Sequence, residues 1–340
     1  MSASTATPAS RAKPGLKLGT TLFSFTTEYI QRRYSFEQLL AEVAAQNLGP
    51  GLEIVGFQSI RGFPTITDAF AERFRELMDL HKLTPSCLSI NSDMMLRPGH
   101  MQSVDEAVAY HEPQIRAAAR LGFPVIRSQF AAPAEVLRRL VPLIEKLQIK
   151  IGPEIHAPMT VNSPPVLAYR EMYAKVGSPY LGFIPDCGSA ARNIPKTYLA
   201  YLKSQGMPED LMNLAVGIWR QAKNVQQKIE EFAALAKARN ADPTVVSSLA
   251  VMFSILSPQD PRAWLEIMPQ IIHIHGKCYD FDASGSETSI PYEELIPVFV
   301  EGGFSGFMST EWEGHLYSQA SGFEMVRKHQ TLCRRLLSRI

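Results

Sequence analysis

The chain has 340 residues, 46% of them hydrophobic and 20% charged, which suits a folded globular protein and excludes a fibrous or wholly disordered one. Its 34 basic and 33 acidic residues leave a formal net charge of +1, so no global electrostatic pull draws it to nucleic acid or to an anionic membrane. The longest apolar runs, such as that around 296–300, fall far short of the roughly 20 residues that a membrane helix needs.

The opening "MSASTATPASRAKPG", residues 1–15, is small, polar and proline-containing. It lacks the apolar centre of a secretory signal and reads as a disordered tail. Four scattered cysteines (Cys87, Cys187, Cys278, Cys333) show no CxxC and no paired spacing, which points to reduced thiols in a cytoplasmic protein.

Short apolar runs then alternate with helical patterns. "LKLGTTLFSF" (16–25) reads as a strand, followed by the amphipathic "SFEQLLAEVAAQN" (35–47). "GLEIVGF" (51–57) is a second strand, and 66–83 carries apolar residues at helical spacing. "SCLSINS" (86–92) precedes a helix over 104–122 that Pro113 should interrupt. "VIRSQF" (125–130) leads into a helix over 133–148, and "KIGPEIH" (150–156) into one over 164–177. "LGFIPD" (181–186), "IIHIHGK" (271–277) and "FMSTEWE" (307–313) complete eight strands. Alternating strands and helices argue a parallel sheet with right-handed crossovers. Eight units at this length predict one domain over 16–340, a closed (β/α)8 TIM barrel. No GxGxxG follows the first strand, so the dinucleotide-binding alternative loses its main support.

One connection is too long. Asp186 and His275 lie 89 positions apart, whereas a single helical crossover takes about 20–30. Helical periodicity persists throughout, so 195–268 reads as a helical insertion, a lid or a subunit contact. Its apolar content exceeds what a solvated crossover requires, which predicts burial against another chain or over the barrel mouth, and an oligomer.

The active face of such a barrel lies at the C-terminal strand ends. Strand five ends with Glu154 and His156, strand six with Asp186, strand seven with His273 and His275, and strand eight with Glu311 and Glu313. Strand period is two, so Glu154 and His156 share a face. Carboxylates and imidazoles at four consecutive strand ends point to a cation. Oxygen donors with an imidazole suit Mn²⁺, with Mg²⁺ or Co²⁺ as alternatives. A cation on a ketone and a neighbouring hydroxyl stabilises the enediolate formed when an α-proton leaves. His156 is placed to be the base that takes that proton, or else to orient a metal ligand from beside it. Lys277, Asn91 and Gln129 are candidates for substrate contact, or for pairing and loop capping. His273 is expected to be structural, Trp312 to pack between barrel and helices, and Glu313 and His315 to lie in an exposed loop.

The pattern "PEIH … PD … HIHGK … TEWEG" resembles the xylose isomerase-like TIM barrels, the sugar phosphate isomerase/epimerase family. The resemblance implies that Glu154, Asp186, His275 and Glu311 hold one divalent cation, and that Glu311 also moves a proton, as in the epimerase-like members. Ser189, Thr160 and Phe281 stand where the ketose 3-epimerases have histidine, glutamate and arginine. "TLFSFTTEY" and "EIH" look more like the metal-binding subunit of bacterial C-glycoside deglycosidases, which pairs with a small β-rich subunit. That resemblance implies action on a 3-oxo-glucoside, with a histidine removing the sugar C2 proton and elimination releasing the aglycone. A sugar isomerase or ketose 3-epimerase is the alternative, and a non-catalytic, metal-containing sugar-binding protein a further one.

Overall fold

The computed structural model describes residues 15–129 and 132–340. The predicted tail, apart from Gly15, and Phe130 of the fourth predicted strand lie outside the described residues. The eight strands are β1 (Leu16–Thr21), β2 (Gly51–Val55), β3 (Thr84–Ser89), β4 (Val125–Ser128), β5 (Lys150–Ile155), β6 (Ile184–Pro185), β7 (Ile274–Cys278) and β8 (Gly306–Trp312). They pair in parallel in the order β6-β5-β4-β3-β2-β1-β8-β7. Parallel bridges from Phe183 to Ile271 and from Asp186 to His275 join the two ends of the sheet. The barrel expected from the alternation is therefore the fold. Seven of the eight strands run shorter than their apolar runs, and β8 keeps its length shifted by one residue.

Local chemistry explains the helices. Ser35 and Gln38 form a reciprocal capping box ahead of the Phe36–Ala45 helix, as Ser103 and Glu106 do ahead of Val104–Leu121. The Asp68–His81 helix buries Ala71, Phe74, Leu77 and Met78, an i, i+3, i+6, i+7 stripe. Fully burying a side chain such as Phe74 contributes about 1.5–3 kcal/mol. Pro113 does not interrupt its helix, contrary to the expectation. It forfeits one backbone bond, while Ala107, His111, Gln114, Ile115, Ala117, Ala118 and Leu121 stay buried along the same face. At one strand crossing only glycine fits. A Cβ on Gly152 of β5 would lie 2.4 Å from the Gly182 carbonyl oxygen.

Between β6 and β7 the chain forms helices at Lys196–Ser204, Glu209–Trp219, Val225–Lys237, Pro243–Ala250 and Met252–Ile255, then a 3-10 stretch at Pro261–Gln270. Their apolar side chains are spent on one another. Trp219, Phe232, Leu249, Met252, Phe253 and Leu256 are all at most 1% exposed, and Trp219 Nε1 donates to the Leu256 carbonyl at 2.9 Å. Much of the apolar content is thus covered from within, while Tyr201, Leu235 and Val251 stay exposed. All four cysteines are free thiols and buried. No helix among the described residues is long and apolar enough to cross a membrane.

Candidate metal centre

The C-terminal ends of β5 to β8 deliver four side chains to one place. Glu154 is the fifth residue of β5, Asp186 directly follows β6, His275 is second in β7 and Glu311 sixth in β8. Register aligns them, since Asp186 bridges to His275 and Lys277 pairs with Glu311. Each of the four offers one ligand atom, and those atoms lie within 4.8 Å of one another. None is more than 6% exposed.

The donor chemistry fits a divalent cation. Asp186 Oδ2 and Glu311 Oε2 are buried and accept no hydrogen bond. Lys277 Nζ lies 2.8 Å from Asp186 Oδ2, near enough to offset charge but off the direction that a hydrogen bond requires. A buried acceptor left so costs roughly 1–3 kcal/mol, and here two of them converge with His275. Burial opposes a charge on Glu154, yet Arg127 and His275 hold its carboxyl well below the usual range. Burial raises Asp186 in spite of Lys277 and His156. Burial also opposes charge on His275, but Glu53, Glu311 and Glu154 together hold its imidazole well above its ordinary value. The cluster therefore demands positive charge, and a cation bound there would release the His275 proton.

Two residues in this network are missed by the reading of the sequence. Glu53, on β2, is 0% exposed. It accepts from His275 Nε2 at 2.8 Å, His273 Nε2 at 3.0 Å and Ser89 Oγ at 2.8 Å. Arg127, on β4, donates from Nε to Glu154 Oε2 at 3.0 Å and again from a terminal nitrogen. Each is the one charged residue in its predicted strand, "GLEIVGF" and "VIRSQF". A lone charge in a strand buried on both faces is the signal that could have found them.

The remaining candidates fall around the cluster. His156 Nδ1 lies 2.7 Å from the Ala157 carbonyl and Nε2 2.8 Å from Lys277 Nζ. His273 Nε2 donates to Glu53 Oε2 at 3.0 Å. Trp312 is 1% exposed, its Nε1 donating to the Tyr279 carbonyl at 3.2 Å. Glu313 does not lie in an exposed loop. Its side chain, 18% exposed, sits 2.9 Å from Lys277 Nζ and accepts from Tyr279 Oη at 2.7 Å. Burial notwithstanding, Lys277 lowers its carboxyl to about 2. His315 likewise folds back, Nδ1 lying 2.9 Å from the Trp312 carbonyl.

The cluster opens into two adjoining cavities. The inner one, about 240 Å³, includes Phe23, Phe57, Ser89, Arg127, Gln129, Glu154, His156, His275, Lys277, Glu311 and Glu313 in its wall. The outer one, about 670 Å³, is lined by Phe57, Asn91, Asp93, Arg127, Gln129, Glu154 and His156. Asn91 and Gln129 thus face open space, and both also cap loops. Asn91 Oδ1 accepts from the Asp93 amide at 3.0 Å, and Gln129 Oε1 from the Ser92 amide at 3.3 Å. Ser189, Thr160 and Phe281 line neither cavity.

No family model matches the chain. Over 332 residues it is 38% identical to a C-glycoside deglycosidase alpha subunit of Arthrobacter globiformis, covering 96% of this chain and 94% of that one. It is 36% identical to the 3'-dehydrocarminate deglycosidase alpha subunit of a Microbacterium species, over 95% and 96% of the two chains. Among solved structures, it is similar to a sugar phosphate isomerase/epimerase from Parabacteroides distasonis (TM-score 0.54, 17% identity, 95% and 94% of the two chains). An L-ribulose 3-epimerase gives a TM-score of 0.56 at 12% identity over 95% of each chain. The IOLI protein with a binding zinc atom gives 0.55 at 13%, over 95% and 98%. At such identities the structural likeness shows the shared fold.

Proposed function

This chain belongs to the family of C-glycoside deglycosidase alpha subunits, and from that premise we propose that it is the catalytic subunit of a divalent-metal-dependent carbon–carbon lyase. Its substrate in this reading is a 3-oxo-C-glycoside. Glu154, Asp186, His275 and Glu311 would hold the cation, with three carboxylates and one imidazole favouring Mn²⁺, then Mg²⁺ or Co²⁺. Such an ion, when bound, supplies Lewis acidity to the sugar ketone and the adjacent hydroxyl.

The observation that carries the chemistry is the setting of His156. Its Nδ1–H donates to the Ala157 carbonyl at 2.7 Å, which leaves the Nε2 lone pair as the basic atom. Nε2 lies 3.7 Å from Asp186 Oδ2, at the edge of the four-residue cluster, and faces both cavities. Lys277 now places an ammonium on that atom at 2.8 Å, a contact the substrate displaces. The proton at C2, made acidic by the C3 ketone, passes to Nε2. The C2 electron pair becomes a C1–C2 double bond, and the pair of the broken C1–carbon bond leaves with the aglycone. The imidazolium returns a proton to that aglycone carbon, which balances the step. The inner cavity takes the sugar and the outer one the aglycone.

His156→Ala should keep its Mn²⁺, lose about 10²–10⁴-fold in kcat, and stop exchanging the C2 proton with deuterated solvent. Near-normal turnover and exchange would move the base elsewhere, to Glu311 first. The fold shared with an L-ribulose 3-epimerase supports one competing reading, a sugar isomerase or ketose 3-epimerase. Incubation with a 3-oxo-C-glucoside and with free ketoses, followed by product analysis, separates the two. The alpha-subunit names of the relatives support a partner subunit, read here as a small β-rich chain and tested by co-expression and co-purification.

A further inference from the structure

We infer that Glu53 is a positioning residue that turns His275 so that Nδ1, rather than Nε2, faces the cation. The inference rests on the cation site proposed above and adds a residue that is not a ligand. Glu53 lies inside the barrel, on the side of His275 away from Glu154. The register between β2 and β3 shifts between Leu52 and Glu53, a local irregularity of the kind that re-aims a side chain.

Donor counting sets the ring. An ionised carboxylate only accepts. Glu53 Oε1 faces His275 Nε2 and Ser89 Oγ, both at 2.8 Å, and Oε2 faces His273 Nε2 at 3.0 Å. Each imidazole must therefore present Nε2–H to Glu53. On His275 the other nitrogen, Nδ1, lies 2.5 Å from Glu154 Oε1 and 3.5 Å from Glu311 Oε2; with no cation bound it donates to Glu154, and a cation would take the place of that proton. His273, with Ser309 Oγ 2.9 Å from the same nitrogen, anchors the second oxygen, so the carboxylate cannot swing away. The result is a carboxylate–histidine pair aimed at the cation site, an arrangement that fixes the ring and raises its basicity.

A second ion is the rival explanation, because Glu53, His273 and His275 also present ligand atoms within 4.8 Å of one another. The facing atoms sit at 2.8–3.0 Å, the length of a hydrogen bond. Both Glu53 oxygens already accept hydrogen bonds, whereas the four-residue cluster leaves Asp186 Oδ2 and Glu311 Oε2 without one. A second ion would also require His275 to bridge two metals through both nitrogens.

Zn²⁺ serves as a diamagnetic probe in the full-length chain. Ring-nitrogen NMR of the zinc-loaded wild type should show His275 protonated at Nε2 and metal-bound at Nδ1, with one cation per chain. Metal on Nε2, or two cations per chain, would overturn the inference. Glu53→Gln can donate an amide hydrogen to Nε2 and so invert the ring's protonation. Titration of free Mn²⁺ by electron paramagnetic resonance should then show about 10–100-fold weaker binding. A folded variant that binds Mn²⁺ within about twofold of wild type would overturn the inference and leave the cation site standing. Wild type that binds no divalent cation would overturn both. If Glu53→Gln fails to fold, the ring-nitrogen measurement on wild type decides alone.

Discussion

Replacing Arg127 with methionine should destabilise the metal-free protein, and saturating Mn²⁺ should recover part of the loss. The Arg127 side chain is 16% exposed and grips Glu154, whose side chain is 4% exposed, through two nitrogens on Oε2. Methionine keeps most of the length and apolar volume, so the perturbation is chiefly electrostatic. Removing one partner of a buried ion pair costs about 3–5 kcal/mol, because the other charge stays behind. Glu154 retains His275 on Oε1, which places the cost near the low end, about 3 kcal/mol. At roughly 2 °C per kcal/mol for a chain of this size, Tm should fall by about 6 °C in the presence of a chelator. The variant also removes a positive charge from beside the cluster, so Mn²⁺ should bind more tightly and the gap should narrow when metal saturates both proteins. Thermal unfolding of both chains, with chelator and with Mn²⁺, measures this directly. Equal midpoints in chelator, or a gap that Mn²⁺ leaves unchanged, would refute the reasoning.

Alanine at Glu154, Asp186, His275 or Glu311 should lower bound Mn²⁺ and abolish activity together. Metal analysis finding full occupancy in two or more of these variants would sink the ligand set. Phe57 is 46% exposed and lines both cavities, so Phe57→Ala should raise KM with little change in kcat. Covering its exposed area contributes roughly 1–2 kcal/mol, about 5–30-fold in KM, and a fall confined to kcat would contradict a binding role. Burial pushes His329 down to about 3, against about 6.5 in an unfolded chain. The folded protein keeps it neutral, so its contribution is whole above pH 6.5 and is lost as pH falls toward 3. By pH 5 the loss is about 2 kcal/mol. His329→Gln should therefore sit closer to wild type in denaturant unfolding at pH 5 than at pH 7.5, and a constant gap would refute the assignment.

Period two explains what could be read in the sequence and what was misread. Glu154 and His156 share a parity at the end of β5, and both face the cavities. The same parity holds for His273, just ahead of β7, and for His275 and Lys277 within it, and for Glu311 and Glu313 at the end of β8. Applied to β8, the rule turns Glu313 inward beside Lys277, where it lies, rather than into an exposed loop. Arg127 and Glu53 obey a different logic. Their meaning rests on partners 27 and 222 positions away, and a strand pattern carries no information about such pairings before the barrel closes. What the pattern does carry is the cost of a lone charge on a strand buried on both faces. The helical insertion shows the opposite limit. Its periodicity reveals an apolar face, but a face covered by neighbouring helices and one covered by another chain have the same periodicity. Here Trp219, Phe232 and Phe253 cover it from within. If a partner subunit docks on this chain, apolar content in the insertion is therefore no guide to where.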